Sequence, residues 1–417
     1  MSVEARKPEG IGFAAVMWLA SRFLVLVAML GVAPLLSAPP GGIAATADLS
    51  VFSAWDSVYY EKIASLGYAT ADGGEGLVAF FPLFPLAMRG LMVVGVPVLW
   101  AGVIVNNLAF FGALVVVYQL VANRHGPGAA RWATAALAWC PFSLFGTVIY
   151  SEGLFLWLSG AALRAFERRE YGQVVLWGGL ATATRPTGVA LVGAFVITAF
   201  RERRPVVAWV ASVAAGWGLL LFSLYCWLDF GNPLAFVAAQ RFWRPASGFD
   251  WRGWGKIILQ VFLGQGNVRA GMLKDPWHPV LMVVIGILGG LLWRFRSRLG
   301  EVWYGSGVCV LVVLLWLLAG DPLVNGVAIF GSAYLLWRWR RELSFVVVVY
   351  GFGGLGLILA SGSTISLGRI AYGILPITMA LGVAISRAPR WGYPAMGLFA
   401  IILVSLSVRF AQHLWAG

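Results

Sequence analysis

The run FVVVVYGFGGLGLILA at residues 345–360 is uncharged and almost wholly apolar, and its apolar positions do not alternate with polar ones. A strand of a transmembrane barrel would alternate over about 10 residues, whereas a helix crossing a bilayer needs about 20 mainly apolar residues. The run VVLWGGLATAT at 174–184 has the same character, and the first apolar stretch extends from Ile11 to about Val32. Such stretches recur along all 417 residues, of which 60% are apolar and 11% charged, against about 25% charged in a soluble domain. The mean hydropathy is +0.84. These features define an all-α polytopic membrane protein. The stretch 11–32 is longer than a secretory h-region and is read as a span.

The net charge of +13 is gathered in short clusters between apolar stretches. They are Arg6 and Lys7; Arg124 and Arg131; Arg164, Arg168 and Arg169; Arg201, Arg203 and Arg204; Arg294, Arg296 and Arg298; Arg338, Arg340 and Arg341; Arg387 and Arg390. They collect 18 of the 30 lysines and arginines, the pattern that orients helices with basic loops in the cytoplasm. Nucleic acid is therefore not a partner, and the N-terminus is expected inside. Two spans between successive clusters give about 13 transmembrane helices, near 11–33, 97–122, 132–150, 152–167, 173–185, 186–200, 206–228, 277–293, 301–319, 323–337, 343–360, 369–386 and 391–410. At Arg185-Pro186 the proline either separates two short spans or kinks one longer helix.

This leaves two long extracytoplasmic segments, 34–95 and 229–276, in one integral membrane domain covering 1–417. Asp56, Glu61, Asp229, Asp250 and Asp275 fall in them, and long ordered loops usually carry function. Cys140, Cys226 and Cys309 lie in or beside apolar stretches without C-x-x-C spacing, so neither a disulfide framework nor a zinc site is indicated.

In the first segment, residues 53–68 have helical periodicity, with Trp55, Tyr59, Ile63 and Leu66 on one face and Asp56, Tyr60 and Ala64 on another. Gly67 is the expected stop. Such a helix would be amphipathic and lie at the membrane surface, turning Asp56 and Tyr60 together into a cavity beneath it. Asp56 has a second reading, because Ser53-x-x-Asp56 fits a capping box in which the carboxylate serves the backbone. The run Ala79-Phe80-Phe81-Pro82-Leu83-Phe84-Pro85-Leu86 is too short and broken to span, and reads as an interfacial re-entry toward the next helix.

Taken together, these islands resemble a known family. Trp55-Asp56-Ser57-x-x-Tyr60, Gly67-Tyr68 and Phe80-Phe81-Pro82-Leu83-x-Pro85-Leu86 are similar to the PIG-V family of membrane mannosyltransferases, of the GT-C class that uses lipid-phosphate sugars. Four later islands agree: Pro141-Phe142 with Tyr150-Ser151-Glu152; Thr184-Arg185-Pro186-Thr187-Gly188; Gly231-Asn232-Pro233-Leu234-Ala235-Phe236 with Gln240 and Trp243; and Ser366-Leu367-Gly368-Arg369 before Pro376. Asn232 stands where the family pattern often has Asp, which argues against an essential carboxylate there. Tyr60 stands where an aromatic or His is usual. No DxD pair occurs in the first loop, so a divalent metal is not supported and no cofactor is implied.

The resemblance implies a GT-C-like fold and an inverting glycosyltransferase that moves a sugar, in the first place mannose, from a polyprenyl-phosphate donor to an acceptor hydroxyl on the outer face. Asp56 is the implied base. The donor phosphate would be held among Arg369, Arg185, Arg89 and Lys62, since a guanidinium binds phosphate bidentately; snorkelling or an anionic-lipid contact is the other reading of each. Tyr60, Glu152, Trp55, Gln240, Trp243 and His278 are candidates for acceptor or sugar contacts. Glu152 equally suits compensation of a helix N-terminus, and His278 an interface anchor beside Trp277. Arg22, mid-span, matches no island and suits a structural pairing within the bundle.

The alternatives are transfer of another polyprenyl-phosphate sugar such as glucose or arabinose, a protein acceptor, or, in another class, a lipid or solute transporter or flippase. Transporters carry ionisable groups near the midplane on broken helices, whereas the acids here cluster at the outer mouth. Usage rich in alanine, glycine and arginine points to a bacterial plasma membrane, with a glycolipid or lipoglycan acceptor among membrane lipids.

Overall fold

The computed structural model describes residues 6–68, 76–244 and 248–417, with side chains from Gly10 onward. The side chains of Arg6 and Lys7, and stretches 69–75 and 245–247 of the two long loops, lie outside the described residues. Helix α1 (Arg6–Leu26) continues through a π-turn and a 3-10 turn to Leu35. Helices α2 (Asp56–Leu66) and α3 (Leu83–Val93) form the first loop, followed by α4 (Val98–Trp139), α5 (Glu152–Glu167), α6 (Tyr171–Thr184), α7 (Val189–Arg201), α8 (Val206–Ala214) and α9 (Trp217–Phe230). The second loop holds α10 (Ala235–Ala238), α11 (Trp251–Leu263) and α12 (Gln265–Ala270). The chain ends with α13 (Trp277–Arg294), α14 (Arg296–Gly326), α15 (Ser332–Trp339), α16 (Phe345–Leu359), α17 (Leu367–Tyr372), α18 (Leu375–Arg387) and α19 (Gly392–Ala411). Among the described residues the only β pairing is one isolated bridge, Gly248 to Ser361, which ties the second loop to the segment before α17.

Among the described residues five helices are long and apolar enough to cross a membrane, or six if the bent pair α8 and α9 is one span. The other expected spans are shorter or broken: 132–150 is α-helical only to Trp139, because Pro141 opens a 3-10 turn, and 369–386 is divided between α17 and α18. Helix α4 breaks at Gly126, whose φ of 79° and ψ of 175° suit glycine, with Pro127 following. Its first arm meets the irregular stretch that follows its second arm. Asn107 Nδ2 donates to the Thr147 carbonyl at 3.0 Å, and Asn106 Nδ2 donates to those of Phe145 and Val148 at 2.7 and 2.6 Å. Helix α14 breaks likewise at Gly300 and at Gly320. The breaks at Gly126 and Gly320 fall between expected spans. At Arg185-Pro186 the chain ends one helix and starts another: Arg185 is extended, as a residue before proline prefers, and Pro186 opens a 3-10 turn into α7.

Arg22 has its partners inside the bundle, and they are backbone carbonyls and hydroxyls rather than a carboxylate. Its Nη1 donates to the Ser143 carbonyl and Thr147 Oγ1, both at 2.6 Å; its Nη2 donates to Ser143 Oγ at 2.9 Å. The guanidinium also lies 4.6 Å from the Phe110 ring centroid. After α4 stops at Trp139 the chain leaves the α-helix through a 3-10 turn from Pro141, and such backbone within a bundle needs donors for its free carbonyls. Arg22, Asn106 and Asn107 supply them. The same stretch delivers Tyr150, Ser151 and Glu152, so these three polar side chains set the floor of the site.

Small residues let α6 and α9 cross closely. A Cβ on Gly218 would lie 2.0 Å from the Gly179 carbonyl oxygen, which is backbone and cannot turn aside. We expect Gly218→Ala to lower stability by about 1–3 kcal/mol, read as a lower thermal unfolding midpoint in detergent, while Gly286→Ala, in open space, leaves it unchanged.

Candidate active site

Four pieces of chain meet at one end of the bundle: the start of α2, the start of α5, the extended residue between α6 and α7, and α17. Helix α2 begins at Asp56, whose charge suits a helix N-terminus, and stops at Gly67, with φ 85°. Tyr60, Ile63 and Ala64 form the buried side, while Leu66 and Trp55 are exposed. The face packed on the protein is therefore the expected one carrying Tyr60 and Ala64, and Ile63 joins it. The capping-box reading of Asp56 is also set aside. Ser53 Oγ bonds Glu61 instead, and Asp56 Oδ2 pairs with Arg369.

That pair is the centre of a charge chain. Asp56 Oδ2 lies 2.5 Å from Arg369 Nη1, Arg369 Nε lies 3.7 Å from Glu152 Oε1, and Glu152 Oε1 lies 2.5 Å from Arg185 Nη1. The Arg369 guanidinium also stands over Phe145 and Tyr150, at 5.4 and 5.1 Å from their ring centroids. Both Asp56 and Arg369 follow a non-glycine residue held at positive φ. Trp55 has φ 58°, ψ −117°, and Ser366 has φ 59°, ψ 26°. Each such residue costs on the order of 1–3 kcal/mol and persists only where its surroundings enforce it. At Trp55 the enforcement is visible: the buried Tyr150 hydroxyl accepts from the Asp56 N–H at 3.1 Å and donates to the Ala54 carbonyl at 3.5 Å.

Asp56, Arg185 and Arg369 line a cavity of about 180 Å³. Tyr60, Gln240 and Trp243 also line it, as do Phe80 and Phe81 from the proline-punctuated run. Tyr60 Oη is 2.9 Å from Ser151 Oγ. Burial, opposed by Arg185, pushes the Tyr60 phenol up to about 12, so it stays neutral at physiological pH. Trp243 packs against Tyr59 and Phe80, with ring centroids 4.8 and 5.5 Å away. Helix α17 is the partition between two spaces. Ser366, Arg369 and Ile370 face the polar cavity, while Gly368, Ala371 and Tyr372 line an apolar groove of about 530 Å³ completed by α14, α15, α18 and α19.

Five expected site residues do not line the cavity. Arg89 caps α2, its Nε donating to the Ala64 carbonyl at 2.7 Å, because a helix end leaves carbonyls without partners. Lys62 does not line the cavity. His278 is buried with Nε2 3.0 Å from the Val261 carbonyl, its ring against Gly264, and so pins the second loop. Glu152, 1% exposed, faces the two arginines rather than open space. Trp55 packs edge-on against Trp415, with centroids 5.1 Å apart, at the cavity rim. Conversely, Arg244, Trp415 and Thr184 line the cavity without having been singled out. Arg244 lies four residues beyond Gln240, but nothing in the chain distinguishes it from Arg241. Trp415 carries no local signal at all. Among the described residues no group of three or more His, Cys, Asp or Glu side chains is assembled to hold a metal ion.

Fold and site thus define a polytopic helical membrane protein with a charge-lined pocket beside an apolar groove. Residues 20–203 match the family described as Mannosyltransferase (PIG-V), and the resemblance holds over that stretch, which contains the first-loop, Tyr-Ser-Glu and Thr-Arg islands. GPI alpha-1,6-mannosyltransferase 2 of Homo sapiens is 26% identical over 263 residues, covering 54% of this chain and 52% of the relative. The protein of that name from Cricetulus griseus is 25% identical over 264 residues, with the same coverage of 54% and 52%. The chain spans about half the length of the curated relatives it matches. Among solved structures, the Archaeoglobus fulgidus oligosaccharyltransferase in complex with zinc and sulfate superposes at a TM-score of 0.45 and 14% identity, over 97% of this chain and 53% of that one. ArnT from Cupriavidus metallidurans bound to undecaprenyl phosphate gives 0.42 and 16%, over 95% and 77%.

The charge chain generates a prediction. Glu152 balances two guanidinium groups in a buried place, and removing one partner of a buried ion pair costs about 3–5 kcal/mol. Glu152→Gln is expected to lower the thermal midpoint strongly. Arg89→Ala, which strips only a helix cap, should cost about 1 kcal/mol and keep whatever activity the protein has.

Proposed function

We propose that the chain is an inverting glycosyltransferase that moves a sugar, mannose first among candidates, from a polyprenyl-phosphate donor to a hydroxyl of a glycolipid or lipoglycan at the outer face of a bacterial plasma membrane. The observation that carries this reading is the position of Asp56: on the wall of a polar cavity rich in arginine, one short helix away from an apolar groove. A donor with a charged head and a long hydrocarbon tail needs that juxtaposition. The match of residues 20–203 to a mannosyltransferase family supports the sugar.

The chemistry balances without a general acid. The acceptor oxygen attacks the anomeric carbon as the bond from that carbon to the phosphate oxygen breaks, and the lipid phosphate departs as a stable anion. The hydroxyl proton passes to Asp56. Arg369 holds Oδ2, while Oδ1 accepts from no described side chain and is the proposed proton acceptor. As the proton arrives, Asp56 ceases to compensate Arg369 just when the departing phosphate gains charge, so the guanidinium can transfer its pairing to the phosphate. Arg185, on the opposite side of Glu152, would hold that carboxylate in place. Tyr60 and Gln240 are neutral hydrogen-bonding groups suited to sugar hydroxyls, and Trp243 offers an aromatic wall.

Donor-dependent transfer of radiolabelled mannose in membranes tests this. Asp56→Asn should lose at least about a hundredfold in rate, while Asn232→Ala, whose exposed side chain only accepts from the Leu234 N–H, should match the parent. Movement of lipid or sugar across the membrane with no transfer product would overturn the enzyme reading.

A further inference from the structure

Three guanidinium groups line the cavity, and two of them are matched to carboxylates: Arg369 to Asp56 and Arg185 to Glu152, each at 2.5 Å. The third, Arg244, has no carboxylate or hydrogen-bonded side-chain partner among the described residues. Its backbone is nevertheless fixed. The Arg244 N–H donates to the Gln240 carbonyl at 2.8 Å, closing the turn Ala239–Phe242, and the adjoining Trp243 is packed edge-on against the stacked Tyr59 and Phe80. The second loop is itself tied down just beyond, where the Gly248 N–H donates to the Ala360 carbonyl at 3.1 Å. A half-buried, unpaired cation on a held backbone is therefore aimed into a partly dry cavity.

Charge counting gives the ligand class. Three positive side chains face two negative ones, so the cavity carries an excess of one positive charge. Burial, with Arg369 and Arg185 adding to it and Asp56 opposing, lowers the proton affinity of the Arg244 guanidinium; a bound anion reverses that cost. A planar guanidinium presents paired donors that fit phosphate oxygens. We propose that Arg244 is the residue that first anchors the phosphate of the lipid donor, with Arg369 and Arg185 occupied as positioning groups of Asp56 and Glu152 until the transfer step. This assignment rests on the donor reading above. It moves the resting phosphate contact from the bundle arginines to the second loop.

Equilibrium binding to the purified full-length chain in detergent tests it, with radiolabelled farnesyl phosphate, farnesol and inorganic phosphate as separate probes. The parent is expected to bind farnesyl phosphate at least about tenfold more tightly than either other probe. Arg244→Ala should lose about tenfold or more for farnesyl phosphate, the range of a charge-assisted hydrogen bond, with farnesol unchanged; Arg244→Lys should recover part of it. Arg241→Ala, an exposed cation in the same turn that does not line the cavity, should behave as the parent. If the parent does not distinguish farnesyl phosphate from farnesol, the donor reading itself falls. A parent that distinguishes them while Arg244→Ala and Arg244→Lys bind unchanged would overturn the Arg244 assignment alone. Inorganic phosphate bound as tightly as farnesyl phosphate, and lost in Arg244→Ala, would reassign the residue to a free-anion site. Thermal midpoints of the variants show whether each is folded, and Arg244→Lys keeps the test open should the alanine variant not be.

Discussion

Charge compensation in a partly dry pocket governs this molecule. Asp56, Arg369, Glu152 and Arg185 come from four separate pieces of chain, and none could be buried in an apolar bundle without the others. Glu152 is almost fully enclosed, yet stands between two guanidinium groups that hold its charge. Aromatic faces from Phe145 and Tyr150 complete the surroundings of Arg369. The cluster thus fixes how α2, α5, α17 and the turn after α6 meet, and the cavity is the space left at that meeting.

The scaffold beneath it solves a related problem. Irregular backbone inside a bundle exposes carbonyls with no water to satisfy them. The break after α4 is tolerated because Arg22, Asn106 and Asn107 reach across from α1 and α4 to donate to those carbonyls. That break brings Tyr150 under the start of α2, where its hydroxyl bonds the backbone on both sides of the strained Trp55. A buried arginine in the first helix, a strained turn in the first loop and the carboxylate at the pocket wall are links of one mechanical chain.

Much of the site was legible because its residues sit in dense local patterns. The period of residues 53–68 put Asp56 and Tyr60 on one stripe, and both line the cavity. Gly67 ends the helix as its position suggested. Ile63, which the period places with Trp55 and Leu66, is nevertheless buried beside Tyr60, since a short helix with aromatics on two sides does not reveal how far its packed side extends. Arg89, Lys62 and His278 were candidates by charge and topology alone. Charge says nothing about direction: Arg89 turns to the carbonyls of α2, and His278 to that of Val261.

The amino-acid sequence by itself determined the class of protein: a helical chain made for a bilayer, with a proline-marked break or kink at Arg185-Pro186 and with acids in the long loops. Apolar run length, turn chemistry and charge clustering are local, one-dimensional properties, and a linear reading recovers them. Only the tertiary structure decided which cation meets which carboxylate, that α17 divides a polar cavity from an apolar groove, and that Arg244 and Trp415 belong to the cavity at all. These are matters of side-chain direction between segments hundreds of residues apart, as between Asp56 and Arg369, and packing, which depends on every neighbour at once, alone sets that direction.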